Sequence, residues 1–250
     1  MIKTFLINLD KNPERLTAST EQLKALGVSF ERIPAVYGRN LSVVEKKNAV
    51  NRFRWWCAQG RPIRDGEIGC ALSHKIVYER MIRDRISVCC VLEDDNRYRD
   101  DFKHVRDAVL EKMDVSRPQV VQLSNCTDDR ASSPDVQIVR SGGDQWTSSY
   151  LITLPAAQVI LKANYPIQMP CDGWRRWSSR GLIEFYHAFP TVAVQDGHPL
   201  FAYGIDVGDP FESDVEGVDS GRVSNFSLRR KILHKFMRII GVALDRVLPL

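Results

Sequence analysis

The chain is 250 residues long, 44% apolar, 26% charged and 9% aromatic, with 35 Lys/Arg against 31 Asp/Glu for a net charge of +4. That usage excludes a disordered chain, a collagen and a coiled-coil rod, and the length suits one large α/β domain with or without an appendage. No apolar run reaches the roughly 18–20 residues that a bilayer-spanning helix needs. The opening MIKTFLINLDKNPERL has no apolar h-region and no small-residue cleavage site. It does not read as a signal peptide, so a cytoplasmic protein is expected. Six cysteines (Cys57, Cys70, Cys89, Cys90, Cys126 and Cys171) are scattered without a CxxC, which suggests neither a zinc site nor a disulfide framework and fits a reducing compartment.

In chain order, Thr4–Asp10 is a short apolar run that reads as a buried strand. Pro13 suits the first turn of a helix that runs to about Leu26 and stops at Gly27. Val28–Val36 reads as a second strand, and this strand–helix–strand opening begins a parallel sheet. Residues 41–64 look like an irregular excursion, polar and basic around Trp55 and Trp56. Gly66–Arg85 reads as a helix with Ile68, Leu72, Ile76 and Ile82 on its inner face. Ser87–Leu92 is the clearest core strand, apolar at nearly every position as a central parallel strand should be. A helix over Asp101–Met113, a strand over Gln119–Leu123, a short strand near Val136–Val139, a strand over Tyr150–Thr153 and a helix from Pro155 follow. Gly181–Gln195 holds one or two more strands. The fold class is therefore α/β, a mostly parallel sheet flanked by helices.

The excess positive charge sits at the C-terminus: residues 228–250 hold six Lys/Arg and one Asp. In this segment Leu228, Ile232, Phe236, Ile239, Ala243 and Val247 keep a helical period, with Arg230, His234, Lys235 and Arg238 mostly on the other side. Such a basic amphipathic helix is expected to bind the anionic inner leaflet of a membrane, although a helix packed on the body with its charges solvated would carry the same letters. The expected organisation is a globular domain over 1–205, an acidic linker over 206–227 and this tail. Nucleic acid is not an expected partner, because the body lacks a basic stripe with interleaved aromatics.

The sharpest chemical feature is Glu93-Asp94-Asp95, directly after the core strand. Three ionised carboxylates repel one another, and a divalent cation is the economical way to offset that. If the extended backbone continued, Glu93 and Asp95 would face one side and Asp94 the other. The carboxyl end of a strand in an open α/β sheet is also where ligands bind. An exposed acidic turn would carry the same letters. A hard cation held by few carboxylates takes further ligands from phosphate, so a nucleoside diphosphate is a sensible partner. There is no GxxxxGK[ST] and no GxGxxG after the first strand, which argues against a P-loop ATPase and a dinucleotide dehydrogenase. A second segment, Gly66–His74 (GEIGCALSH), has two glycines three apart that admit a close backbone or ligand, with His74 as either a ligand contact or a satisfied core histidine.

Together these stretches resemble glycosyltransferase family 25. The resemblance rests on Ile7-Asn8-Leu9-Asp10 with Arg15, on Ala35-Val36-Tyr37-Gly38, on GEIGCALSH, and on Leu92–Asp95 (LEDD). Weaker matches are Ser149–Ile152, Asp172 after Pro170, and Pro190–Gln195. It implies a GT-A-like fold, a UDP-sugar donor and a manganese-type metal. The implied reaction is transfer with inversion, most often of galactose, onto a lipooligosaccharide, lipopolysaccharide or related glycan acceptor. By motif, Asn8, Leu9, Arg15, Tyr37 and Gly38 line the nucleotide pocket, and His74 lies near the donor. Glu93 and Asp95 hold the metal, with Asp94 toward the diphosphate and ribose. Asp95 counts as catalytic together with Asp172, the candidate base that takes the proton of the acceptor hydroxyl. Competing readings are a metal-dependent nucleotidyltransferase or phosphoesterase using the same triplet, and an inactive member of the family acting as a binding protein.

Overall fold

The computed structural model describes residues 2–124, 135–141 and 146–195. In chain order the elements are β1 (Lys3–Asn8), α1 (Pro13–Ala25), β2 (Glu31–Pro34), α2 (Val43–Ala49), α3 (Arg52–Gln59), α4 (Asp65–Arg83), β3 (Val88–Glu93) and β4 (Asn96–Tyr98). They continue with α5 (Phe102–Lys112), β5 (Gln119–Gln122), β6 (Gln137–Arg140), β7 (Ser149–Thr153), α6 (Leu154–Asn164), α7 (Trp174–Ser179), β8 (Glu184–Phe189) and β9 (Ala193–Gln195). Seven strands form one sheet in the order β2-β1-β3-β7-β5-β8-β6, while β4 and β9 pair in a separate ribbon.

β1 runs parallel to both β2 and β3, and β5 parallel to β8, whereas β7 and β6 run against their neighbours. Five strands of the sheet therefore point one way and two the other, the mostly parallel α/β architecture expected from the sequence. The strand period of two divides the core. Phe5, Ile7, Cys89 and Val91 face a layer built with Val77, Tyr78 and Met81 of α4, Ile160 of α6, and Trp174 and Trp177 of α7. Leu6, Cys90 and Leu92 face the opposite layer, with Leu23 of α1 and Phe102, Val105 and Val109 of α5. β3 is covered on both faces, which explains its unbroken apolar sequence.

α1 starts with Pro13 in its first turn and closes through Leu26 into Gly27, whose φ of +64° no β-carbon residue adopts cheaply. Two expectations need correction. Residues 41–64 are not irregular: Ser42 and Glu45 form a reciprocal capping box for α2, and the Asn51 side chain caps α3. The inner face of α4 is also rotated from the predicted one. Ile76 and Ile82 are 37% and 39% exposed, and the buried face carries Ile68, Gly69, Ala71, Ser73, His74, Val77, Tyr78 and Met81. Its small and polar members make hydrogen bonds and close contacts that a count of large apolar residues misses. The acidic linker and the basic tail lie outside the described residues.

Candidate active site

The carboxyl ends of the three parallel strands β1, β2 and β3 meet at an open cavity, the end of an α/β sheet at which ligands bind. Asn8, Leu9, Arg15, Tyr37, Gly38, His74, Glu93, Asp94 and Asp95 all line it, together with Cys70, Ser73 and Gln195. Nine of the ten sequence-predicted site residues are thus brought to one place. Asp172 does not line the cavity. It is partly buried in the loop before α7, one residue beyond Cys171, whose Sγ lies 3.2 Å from the Sγ of Cys70 in the cavity wall.

The wall opposite the triplet is held by a backbone contact that only glycine permits. A Cβ on Gly69 of α4 would lie 2.4 Å from the Val36 carbonyl oxygen, and one on Gly38 would lie 1.8 Å from the Asp65 carbonyl oxygen. Ser73 locks the contact: its hydroxyl accepts from the Val36 N–H at 2.9 Å and donates to the Gly69 carbonyl at 2.7 Å. This seats Tyr37 and Gly38 at the cavity edge, with the Lys11 ammonium 4.7 Å from the centre of the Tyr37 ring.

The structure separates the three carboxylates. β3 ends at Glu93, and Asp94 and Asp95 both lie in the turn that follows, so the strand alternation does not extend over the three. Glu93 faces α4, where its Oε1 lies 2.9 Å from the Nε2 of His74. Asp94 faces α1. It accepts from the Asn8 amide at 2.6 Å and forms an ion pair with the buried Arg15 guanidinium at 3.5 Å, and the Ser19 hydroxyl donates to its backbone carbonyl. Register explains the first of these contacts: Ile7 pairs with Glu93, which puts Asn8 beside Asp94. Asp95 Oδ2 accepts from the Gln195 amide at 2.8 Å, whereas its Oδ1 is buried with no partner.

Electrostatics follow this division. Burial pushes Glu93 up, but the His74 ring, together with Thr147 and Arg15, outweighs it and holds the carboxyl below its usual value. Burial likewise opposes a charged His74, and its contacts with Cys70 and Glu93 overcome that to raise it to about 9. His74 Nδ1 meets the Tyr150 hydroxyl at 2.7 Å, and that hydroxyl meets Tyr78 at 3.0 Å, so a buried chain runs from α4 to Glu93. Asp94 is raised by burial despite Asn8 and Arg15. Asp95 is raised furthest, to about 7, by burial and then by the charge of Glu93. Asp172 is raised to about 6, chiefly by burial.

A divalent cation fits this arrangement at Asp95. Its unpartnered Oδ1 and its elevated pKa mark a carboxylate with a free lone pair and uncompensated charge, while Glu93 and Asp94 are committed to His74, Asn8 and Arg15. Among the described residues, the three ligand-type side chains whose ligand atoms lie within 4.8 Å of one another are instead Cys70, His74 and Cys171. Sequence spacing does not reveal that cluster, because the fold brings Cys171 to the helix from 101 positions away. Nor does the sequence reveal the clamp of Arg32, whose guanidinium donates to the Asn8 side chain at 2.9 Å and pairs with Asp10. Gln195 ends a segment recognisable in sequence, but its contact with Asp95 is visible only in three dimensions.

The family model described as "Glycosyltransferase family 25 (LPS biosynthesis protein)" matches residues 1–174. A "Glycosyltransferase 25 family member" of Aedes aegypti is 30% identical over 89% of this chain and 39% of its own length. "Procollagen galactosyltransferase 1-B" of Xenopus laevis is 29% identical over 64% of this chain and 28% of its own. "Inactive glycosyltransferase 25 family member 3" of Mus musculus is 27% identical over 68% of this chain and 30% of its own. The chain thus spans well under half the length of these relatives. The matched region contains the strands, the glycine contact and the carboxylate turn that build the cavity, and the chain belongs to glycosyltransferase family 25.

Proposed function

We propose that this chain is an inverting, metal-dependent hexosyltransferase that moves galactose from a UDP-sugar to a glycan or glycolipid acceptor. The observation that carries the reading is the cavity at the ends of β1, β2 and β3, lined by Asp95, whose buried Oδ1 has no hydrogen-bond partner. Family membership supports glycosyl transfer, and the printed name of the Xenopus relative supports galactose as the sugar.

In this reading the uracil stacks on Tyr37, and the diphosphate lies toward the turn of Asp94 and Asp95. Asp95 would hold the cation, and Glu93 is close enough to couple electrostatically to Asp95. When bound, a divalent ion there neutralises charge that builds on the leaving diphosphate. Arg15 and Asn8 fix Asp94, and the His74–Tyr150–Tyr78 chain fixes Glu93, so the acidic turn needs no reorganisation as charge develops. Asp172, raised to about 6, is ionised near neutrality yet basic enough to take the acceptor hydroxyl's proton. The basic segment 228–250 would hold the enzyme on an anionic membrane surface and raise the local concentration of a lipid-anchored acceptor.

The test is titration calorimetry of the full chain with UDP, with and without manganese, for the wild type and Asp95→Ala. Manganese-dependent UDP binding that disappears in the variant is the expected result. A folded wild type that binds UDP under neither condition removes the donor assignment, and the triplet then belongs to other phosphate chemistry.

A further inference from the structure

Cys70 and Cys171 form a pair that the donor site does not use. Cys70 lies in the second turn of α4 and lines the cavity, while Cys171 is buried in the loop that carries Asp172. Their sulfurs are 3.2 Å apart. A disulfide bond is about 2.05 Å long, so the sulfurs need to close by only about 1.2 Å, within the reach of side-chain rotation. The cavity gives a small reagent access to Cys70. By contrast, Cys89 and Cys90 are fully buried on opposite faces of β3.

His74 stands one turn beyond Cys70, and together the three resemble a soft-metal ligand set. Both of its ring nitrogens are committed, however, Nδ1 to the Tyr150 hydroxyl and Nε2 to Glu93. A metal would have to displace one of these buried bonds. Joining the two sulfurs displaces neither.

We infer that Cys70 and Cys171 are a reversible oxidation site, closing to a disulfide that ties the helix under the donor cavity to the loop that bears Asp172. The oxidant is a small organic disulfide, RSSR. The Cys171 sulfur and burial hold the Cys70 thiol well above its ordinary pKa, so Cys70 first gives up its proton; its sulfur then attacks the reagent, breaking the S–S bond and releasing one RSH. The thiolate of Cys171 then attacks the Cys70 sulfur and releases the second RSH. One S–S bond is broken and one formed. Two electrons pass from the protein sulfurs to the reagent, and the two thiol protons leave with the released RSH molecules. The inference stands on the sulfur geometry and is independent of the donor assignment.

The experiment treats the full chain with bis(2-hydroxyethyl) disulfide, blocks remaining thiols with iodoacetamide in denaturant, and maps the digest by mass spectrometry. The expected result is a Cys70–Cys171 cross-linked peptide, loss of alkylation at both positions and its return after dithiothreitol. A Tm increase of roughly 10–20 °C should accompany it, because the bond closes a loop of about 100 residues. Cys171→Ser, which keeps the side-chain size, should give no cross-link and should stop at a mixed disulfide on Cys70. Full alkylation of both cysteines after treatment, or a mixed disulfide that persists on Cys70 of the wild type, overturns the inference. So does stoichiometric Co²⁺ binding with a thiolate-to-metal charge-transfer band that Cys171→Ser abolishes, which would make the cluster a metal site.

Discussion

Gly69→Ala sets two calculable effects against each other. Gly69 lies inside α4, where replacing glycine by alanine in an otherwise indifferent position stabilises a helix by about 1 kcal/mol. Here the added methyl would sit 2.4 Å from the Val36 carbonyl oxygen, 2.8 Å from the Gly38 nitrogen and 3.3 Å from the Gly38 Cα. All three are backbone atoms, and they cannot swing aside as a side-chain end would. Relief requires moving the Val36–Gly38 segment off the helix, at an overpacking cost of about 1–3 kcal/mol. The Val36 N–H to Ser73 hydroxyl bond would be stretched as well, costing about 1 kcal/mol. The steric side wins, and Gly69→Ala should lose about 1–3 kcal/mol in urea unfolding. Because the displaced segment carries Tyr37 and Gly38, UDP affinity should fall at least tenfold in the protein that remains folded. A variant as stable as the wild type or more so, with unchanged UDP affinity, would refute the claim that a glycine-only contact shapes this wall.

Three further outcomes are expected. His74 is raised to about 9 from its ordinary 6.5 by Cys70 and Glu93 against the effect of burial, so its stabilising contribution is complete below about pH 6.5 and is lost as pH rises through about 9. That contribution is about 3 kcal/mol, and His74→Gln should flatten the urea midpoint between pH 6.5 and 9.5; a wild type already flat there would count against the buried pair. Asp172→Asn should lower kcat by at least 100-fold with little change in the KM for donor, and should remove a rise in wild-type kcat/KM centred near pH 6. Retained activity would exclude Asp172 as the base. Deleting residues 228–250 should reduce partition onto anionic vesicles more than tenfold, since each basic residue near such a surface is worth about 1 kcal/mol; unchanged partition would end the membrane role of the tail.

Much of this chain is local in its physics, and that part was legible. Pro13 opening α1, Gly27 closing it, the continuous apolar run of β3 and the acids that follow it depend on near neighbours and on strand or helix period. GEIGCALSH and LEDD are also contiguous, so nine of the ten candidate site residues could be named and then found around one cavity. The excursion at 41–64 was misread because its helices are short and rest on caps rather than on an apolar stripe. The inner face of α4 was misplaced because glycine, serine and histidine fill it.

The sequence by itself determined the α/β alternation, the family and the presence of three adjacent carboxylates. Only the tertiary structure decided that the three have different fates. Glu93 is answered by His74 from α4, Asp94 by Asn8 and Arg15 from β1 and α1, and Asp95 by Gln195 with one oxygen left open. It also brought Cys171 against Cys70. The physical reason is that an ion pair or a sulfur contact depends on distances of a few ångströms between segments tens of residues apart, and those distances exist only once the sheet register and helix packing are set.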